Sequence, residues 1–256
     1  MEKLRKGKTT KRNIYSDSIA RHANVPALTT DVACMSGGGI GQIINAISYD
    51  SKHEEVVVMG GTNEVINTAN PAEFVYTIDK SLDKLKALAQ GVVTTFVLPC
   101  VPLITPEIKA KVAYLEEKVR KIESVKVIKL EKIEHDDDDI HPTEDGTRAI
   151  LKQLHTNLDE EIILDAAEDG DITTRKYGKV QSLYKVGCRT CDDHSYTPFM
   201  CEECREGKAN EKNVERIMEL YKTAEDEMFP DVGSSSEKRP LSDDDDDQQR
   251  KSVREE

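Results

Sequence analysis

The sequence predicts an α/β fold in three layers, a mostly parallel sheet covered by helices on both faces. Three observations point to it. Five short runs, at residues 13–15, 31–34, 56–59, 92–98 and 125–130, are apolar and rich in Val and Ile, as strands buried on both faces are. Segments between them carry apolar residues at helical spacing, and strands alternating with helices imply parallel pairing. Finally, four of the five runs lead into polar or glycine-rich clusters, which a parallel sheet gathers at one rim.

Taken in order, the first strand leads into Ser16-Asp17-Ser18 and the second into Ser36-Gly37-Gly38-Gly39-Ile40-Gly41, while Gly60-Gly61-Thr62-Asn63-Glu64 follows the third. Asn70-Pro71-Ala72-Glu73 is a helix start, with Asn as N-cap, Pro at the first helical position and Glu at the third. Phe74, Ile78, Leu82, Leu85 and Leu88 then form one apolar stripe. Ile108, Val112, Leu115, Val119 and Ile122 form another. It lasts barely two heptads, so sheet packing is expected rather than a coiled coil. The fifth strand is followed by the acidic run Asp136 to Asp139, then His141, and a last helix of the domain spans residues 143–157.

Composition bounds the function. The 256 residues carry a formal net charge of -13, which argues against a general nucleic-acid-binding surface. A local basic arm exists at residues 1–12, where Lys3, Arg5, Lys6, Lys8, Lys11 and Arg12 face a single Glu2. No run is long enough to span a membrane, and the N-terminus has no apolar signal core. A reducing compartment, cytoplasmic or nuclear, is therefore expected. The organisation read from composition is a basic arm (1–12), an α/β domain (13–158), an acidic linker (159–187), a cysteine module with an amphipathic helix (188–229) and a disordered charged tail (230–256). Val214, Ile217, Met218, Tyr221 and Met228 mark the apolar side of that helix.

The rim clusters offer a hydroxyl, glycine N–H groups, a side-chain amide, and a carboxylate three residues before an imidazole. Acyl transfer needs this inventory: a nucleophile, a base, a partner that sets the base's tautomer, and preorganised donors for an oxyanion. The order Ser…Gly…Asn…Asp-x-x-His resembles the SGNH (GDSL-like) hydrolase family over residues 13–158. The resemblance implies a flavodoxin-like sheet and a serine esterase or acetylhydrolase acting on a small-molecule, lipid or carbohydrate ester. It makes Ser18 the nucleophile, His141 the base, Asp138 its partner, and Gly37 and Asn63 oxyanion donors. Gly38 remains an alternative to Gly37, and the acidic run leaves Asp137 and Asp139 as alternatives to Asp138. Two positions depart from the family pattern: Ser16 stands where Gly is usual, and Glu64 where Asp is usual. A positive φ at Ser16 would strain a serine. The glycine run also suits a phosphate cradle, but it lacks the Lys-Ser/Thr of a P-loop and the full dinucleotide fingerprint.

Cys188-Arg189-Thr190-Cys191 and Cys201-Glu202-Glu203-Cys204 are paired CxxC knuckles. Four thiolates so spaced suit one tetrahedral Zn²⁺ in a closed, structural site. His194 lies between the pairs and is an alternative to one thiolate. Cys34 and Cys100 read as buried packing residues. An SGNH-like domain beside a zinc knuckle is similar to arrangements encoded by some animal retrotransposons. That likeness implies a second role, an inactive binding module contacting nucleic acid or protein through the basic arm and the zinc module.

Overall fold

A computed structural model of the chain describes residues 12–22, 31–48, 55–102, 105–138, 140–157, 180–182, 204 and 206–230. Six parallel strands form one sheet: β1 (Arg12–Ser16), β2 (Asp31–Cys34), β3 (Glu55–Met59), β4 (Val93–Val97), β5 (Val125–Ile128) and β6 (Val180–Ser182). Their order is β5-β4-β3-β1-β2-β6. The first five thus follow the flavodoxin-like order, with the reversal of direction at the β1/β3 junction. The first five lie where the apolar runs predict them, with ends moved by one or two residues. β6 lies within the stretch read as linker. Its three residues pair with Val32, Ala33 and Cys34, a long-range contact that local composition does not record.

Helices cover both faces. They are α1 (Ile40–Ser48), α2 (Thr62–Asn67), α3 (Pro71–Leu88), α4 (Pro106–Val119), α5 (Glu144–Asn157) and α6 (Glu211–Met228). A 3₁₀ turn spans Ser18–His22. The alternation of side chains along the strands divides the core. Tyr15, Val56, Val58 and Phe96 face α1, α3 and α4, where Ile43, Phe74, Ile78, Leu85, Leu115 and Val119 pack against them. Ile14, Val57, Met59 and Val97 face the other way, onto Ile150, Leu151 and Leu154 of α5 and Ile19 of the 3₁₀ turn. All five β3 residues are buried, which explains why that run shows no polar alternation.

Local sequence accounts for the helix starts. The Asn70 side chain accepts from the N–H groups of Ala72 and Glu73, with Pro71 next to it. Thr105 caps α4 the same way, accepting from Ile108 N–H. The α4 stripe packs on the sheet as expected, with Val112, Leu115 and Val119 buried and Ile108 and Ile122 half-buried. Helix α6 lies against α3 and α4. Arg216 of α6 pairs with Glu117 at 2.9 Å, Asn213 donates to Asp79 at 2.7 Å, and Lys109 pairs with Glu227. Its inward row is Ile217 and Ala224, so Met218, expected on the buried side, is half exposed. No helix among the described residues is long and apolar enough to cross a membrane.

Candidate active site

Parallel register brings three loops together. Ser16 pairs with Cys34 on one side and Met59 on the other, so the segments after β1, β2 and β3 leave the sheet side by side. Two backbone bonds continue the pairing past the strand ends, from Asp17 N–H to Met59 O and from Met35 N–H to Ser16 O. Ser16, the departure from the resembled pattern, is the last residue of β1. Among the described residues Lys132 is the only non-glycine at positive φ, so the serine meets no backbone strain there.

Ser18 opens the 3₁₀ turn, and Asp17 caps it: Asp17 Oδ1 accepts from Ile19 N–H at 3.0 Å. Asp17 is fully buried. Burial pushes its carboxyl up to about 6, against the Ile19 hydrogen bond, the neighbouring Thr62 and the charge of His141. Neither Asp17 Oδ2 nor Thr62 Oγ1 has a partner among the described residues. Burial therefore dominates.

The segment between β5 and α5 supplies the base. It closes on itself through Asp136 N–H to His141 O at 2.7 Å and Thr143 N–H to Glu134 O at 3.1 Å. The His135 ring ties it to Cys100 O beyond β4. His135 is half-buried there. Gly146, in the first turn of α5, lets this segment approach, because a Cβ there would lie 2.0 Å from Glu134 O.

At the tip, Asp138 Oδ1 accepts the backbone N–H groups of Ile140 and His141 at 2.9 and 2.8 Å. Its Oδ2 lies 2.5 Å from His141 Nδ1. The His141 hydrogen bond, aided by the two N–H groups, holds the Asp138 carboxyl well below the usual carboxylate range. An ionised carboxylate only accepts, so Nδ1 carries the proton and Nε2 is left to accept. His141 Nε2 lies 3.1 Å from Ser18 Oγ. Of the alternatives in the acidic run, Asp138 is the one bonded to the ring; Asp139 lies outside the described residues. Ser18 is 8% exposed, whereas the His141 and Asp138 side chains are 35% and 47% exposed, so the dyad approaches the hydroxyl from the solvent side.

The glycine loop is ordered by the segment after β3. Asn63 Nδ2 donates to Gly38 O at 2.9 Å, and Glu64 Oε1 accepts from Ile40 N–H at 2.7 Å. Asn67 Nδ2 lies 3.4 Å from Asn63 Oδ1, which sets the orientation of the Asn63 amide. Gly38 N–H turns back to Met35 O, and Gly39 N–H goes to Gln42 Oε1. Gly37 sits at φ 65°, a conformation that suits glycine, and its N–H has no partner among the described residues. The structure thus joins Ser18, His141 and Asp138 in one hydrogen-bonded chain, and joins Asn63 to the glycine loop on the neighbouring strand ends. Glu64, Asn67 and Asp17 hold these groups and were not singled out from sequence as doing so. The acidic residue directly after Gly61-Thr62-Asn63 is the signal that could have revealed Glu64.

Of the expected zinc ligands, Cys188, Cys191 and Cys201 lie outside the described residues, as does His194, and Cys204 is buried. No group of three or more His, Cys, Asp or Glu suited to a metal occurs among the described residues.

No family model matches the sequence, and no curated protein matches it. Among solved structures, the chain is similar to a carbohydrate acetylesterase from Sinorhizobium meliloti, at 12% identity and a TM-score of 0.44 over 59% of this chain and 98% of that one. It is similar to a lipase/acylhydrolase from Enterococcus faecalis, at 14% identity and a TM-score of 0.47 over 58% and 95% of the two chains. An aryl esterase from M. smegmatis is similar at 12% identity and a TM-score of 0.44, over 59% and 98%.

Proposed function

We propose that the chain is a serine ester hydrolase of the SGNH type. The observation that carries this reading is the hydrogen-bonded chain Ser18–His141–Asp138, closed between residues 123 positions apart. Ser18 Oγ attacks the ester carbonyl carbon as its proton passes to His141 Nε2. Asp138 stays ionised, keeps the Nδ1 proton in place and stabilises the imidazolium. The tetrahedral oxyanion is held by the Gly37 N–H, the Ser18 N–H and the second N–H of the Asn63 amide. Collapse breaks the bond to the alcohol, which leaves with the proton from His141 Nε2. Water, deprotonated by His141, then attacks the acyl-Ser18 carbonyl, and the carboxylic acid leaves as Ser18 Oγ regains its proton.

Labelling with a fluorophosphonate tests this, because the probe needs an activated serine and no knowledge of the substrate. Wild type should label and Ser18→Ala should not. Labelling retained by the Ser18→Ala protein, or absent from folded wild type, would overturn the reading. The same proposal assigns Cys188, Cys191, Cys201 and Cys204 to a structural Zn²⁺, on the strength of their paired spacing.

A further inference from the structure

Helix α2 carries Asn63 and is only six residues long, Thr62–Asn67. So short a helix does not persist alone, because nucleation outweighs the few internal hydrogen bonds it makes. Its N-terminal end is held by the glycine loop, through Asn63 Nδ2 to Gly38 O and Ile40 N–H to Glu64 Oε1. The C-terminal carbonyls need partners from elsewhere.

Glu64 O takes the Thr68 N–H, and one side chain reaches both Val65 O and the C-cap carbonyl, Thr68 O. Lys111, on α4, is 3% exposed. Its Nζ donates to Val65 O at 3.1 Å and to Thr68 O at 2.5 Å, with Glu107 as third acceptor. It also sits 5.7 Å above the centre of the Phe74 ring. An ammonium has three donors, and here each has an acceptor, which makes its burial tolerable. A cation at the carbonyl end of a helix is also favourably placed with respect to the peptide dipoles. Two of its three bonds go to the helix bearing Asn63 and its C-cap residue, the first of them only two residues beyond Asn63.

We infer that Lys111 is a positioning residue for Asn63: it anchors the carbonyl end of α2 and so fixes where the Asn63 amide points. This rests on the reading of Asn63 as an oxyanion donor. With the anchor lost, the glycine-loop bonds and the buried Val65 side chain still hold α2, but its carbonyl end loses the charged donor and can shift. A displacement of about 1 Å in such a donor lowers turnover by up to about a hundredfold. Substrate that binds without strong contact to the oxyanion donors should be held almost as before, so the effect falls on kcat rather than KM.

The test is a double-mutant cycle on the full-length protein, with p-nitrophenyl acetate as substrate. Lys111→Met keeps the stem over Phe74 beside a cavity of about 250 Å³ that it shares with Ile217 and Met218, and removes the donors. The expected result is a kcat lowered about tenfold to a hundredfold with KM within about twofold. In an Asn63→Ala background the same substitution should lower kcat by less than about twofold, because the group it acts through is gone. An equal loss in both backgrounds, or no loss in folded Lys111→Met protein, overturns the inference while leaving the esterase reading intact. No effect of Asn63→Ala alone removes the oxyanion assignment and this inference with it. Should the Met variant fail to fold, Lys111→Leu, which also removes the donors, carries the same cycle.

Discussion

Replacing Asp17 with Asn should stabilise the protein, and only above mildly acidic pH. Asp17 is fully buried, and its carboxyl rises from 3.8 to about 6 on folding because burial disfavours the charge. Between those values the folded protein holds a proton that the unfolded chain has released. Stability therefore falls as pH rises through this window and stays lower above it. At pH 7 the ionised carboxylate costs about 3 kcal/mol relative to a neutral group of the same shape. Asn is that group, and its Oδ1 still accepts the Ile19 N–H that caps the 3₁₀ turn. Urea unfolding at pH 4, 5.5 and 7.5 measures the difference, with equal m values required so that midpoints can be compared. The variant should exceed wild type by up to about 3 kcal/mol at pH 7.5, and the excess should shrink toward zero near pH 4. Any packing change caused by the amide is the same at every pH, so the pH dependence isolates the charge. A difference between variant and wild type that does not grow in the variant's favour from pH 4 to pH 7.5 would refute the reasoning.

Other substitutions probe the site and its supports. Asp138→Asn leaves an acceptor for the Ile140 and His141 N–H groups but removes the carboxylate that holds Nδ1–H; turnover of p-nitrophenyl acetate should fall about 10²–10⁴-fold with an unchanged circular dichroism spectrum. Gly146→Ala drives a Cβ to 2.0 Å from Glu134 O. It should destabilise the protein by about 1–3 kcal/mol in urea unfolding, and slow fluorophosphonate labelling by displacing the segment that bears His141. Purified protein should contain about one zinc per chain by elemental analysis, and Cys188→Ser with Cys201→Ser should abolish it; a metal-free wild type would remove the zinc assignment.

The apolar runs, the stripes on α3 and α4 and the Asn70 cap were legible because each is a local pattern: strand burial, helical period and a side chain reaching two residues ahead. The chemistry-bearing residues were legible as an ordered set of clusters placed after strands. Helix α2 was not, since six residues centred on Val65 carry too little periodicity, nor was β6, whose three residues are recognisable only by what they pair with.

By itself the sequence determined an α/β chain with a parallel sheet and an order of Ser, Gly, Asn, Asp and His along it. Tertiary structure alone decided that Ser18 meets His141, that Asp138 is the member of its acidic run bonded to the ring, and that Gly38 and Gly39 spend their N–H groups while that of Gly37 has no partner among the described residues. It also decided that Lys111, one residue from the apolar stripe of α4, turns inward to the end of α2. Each of these depends on sheet register and on which donors find acceptors across tens of residues, and no pattern along a single element encodes such a pairing.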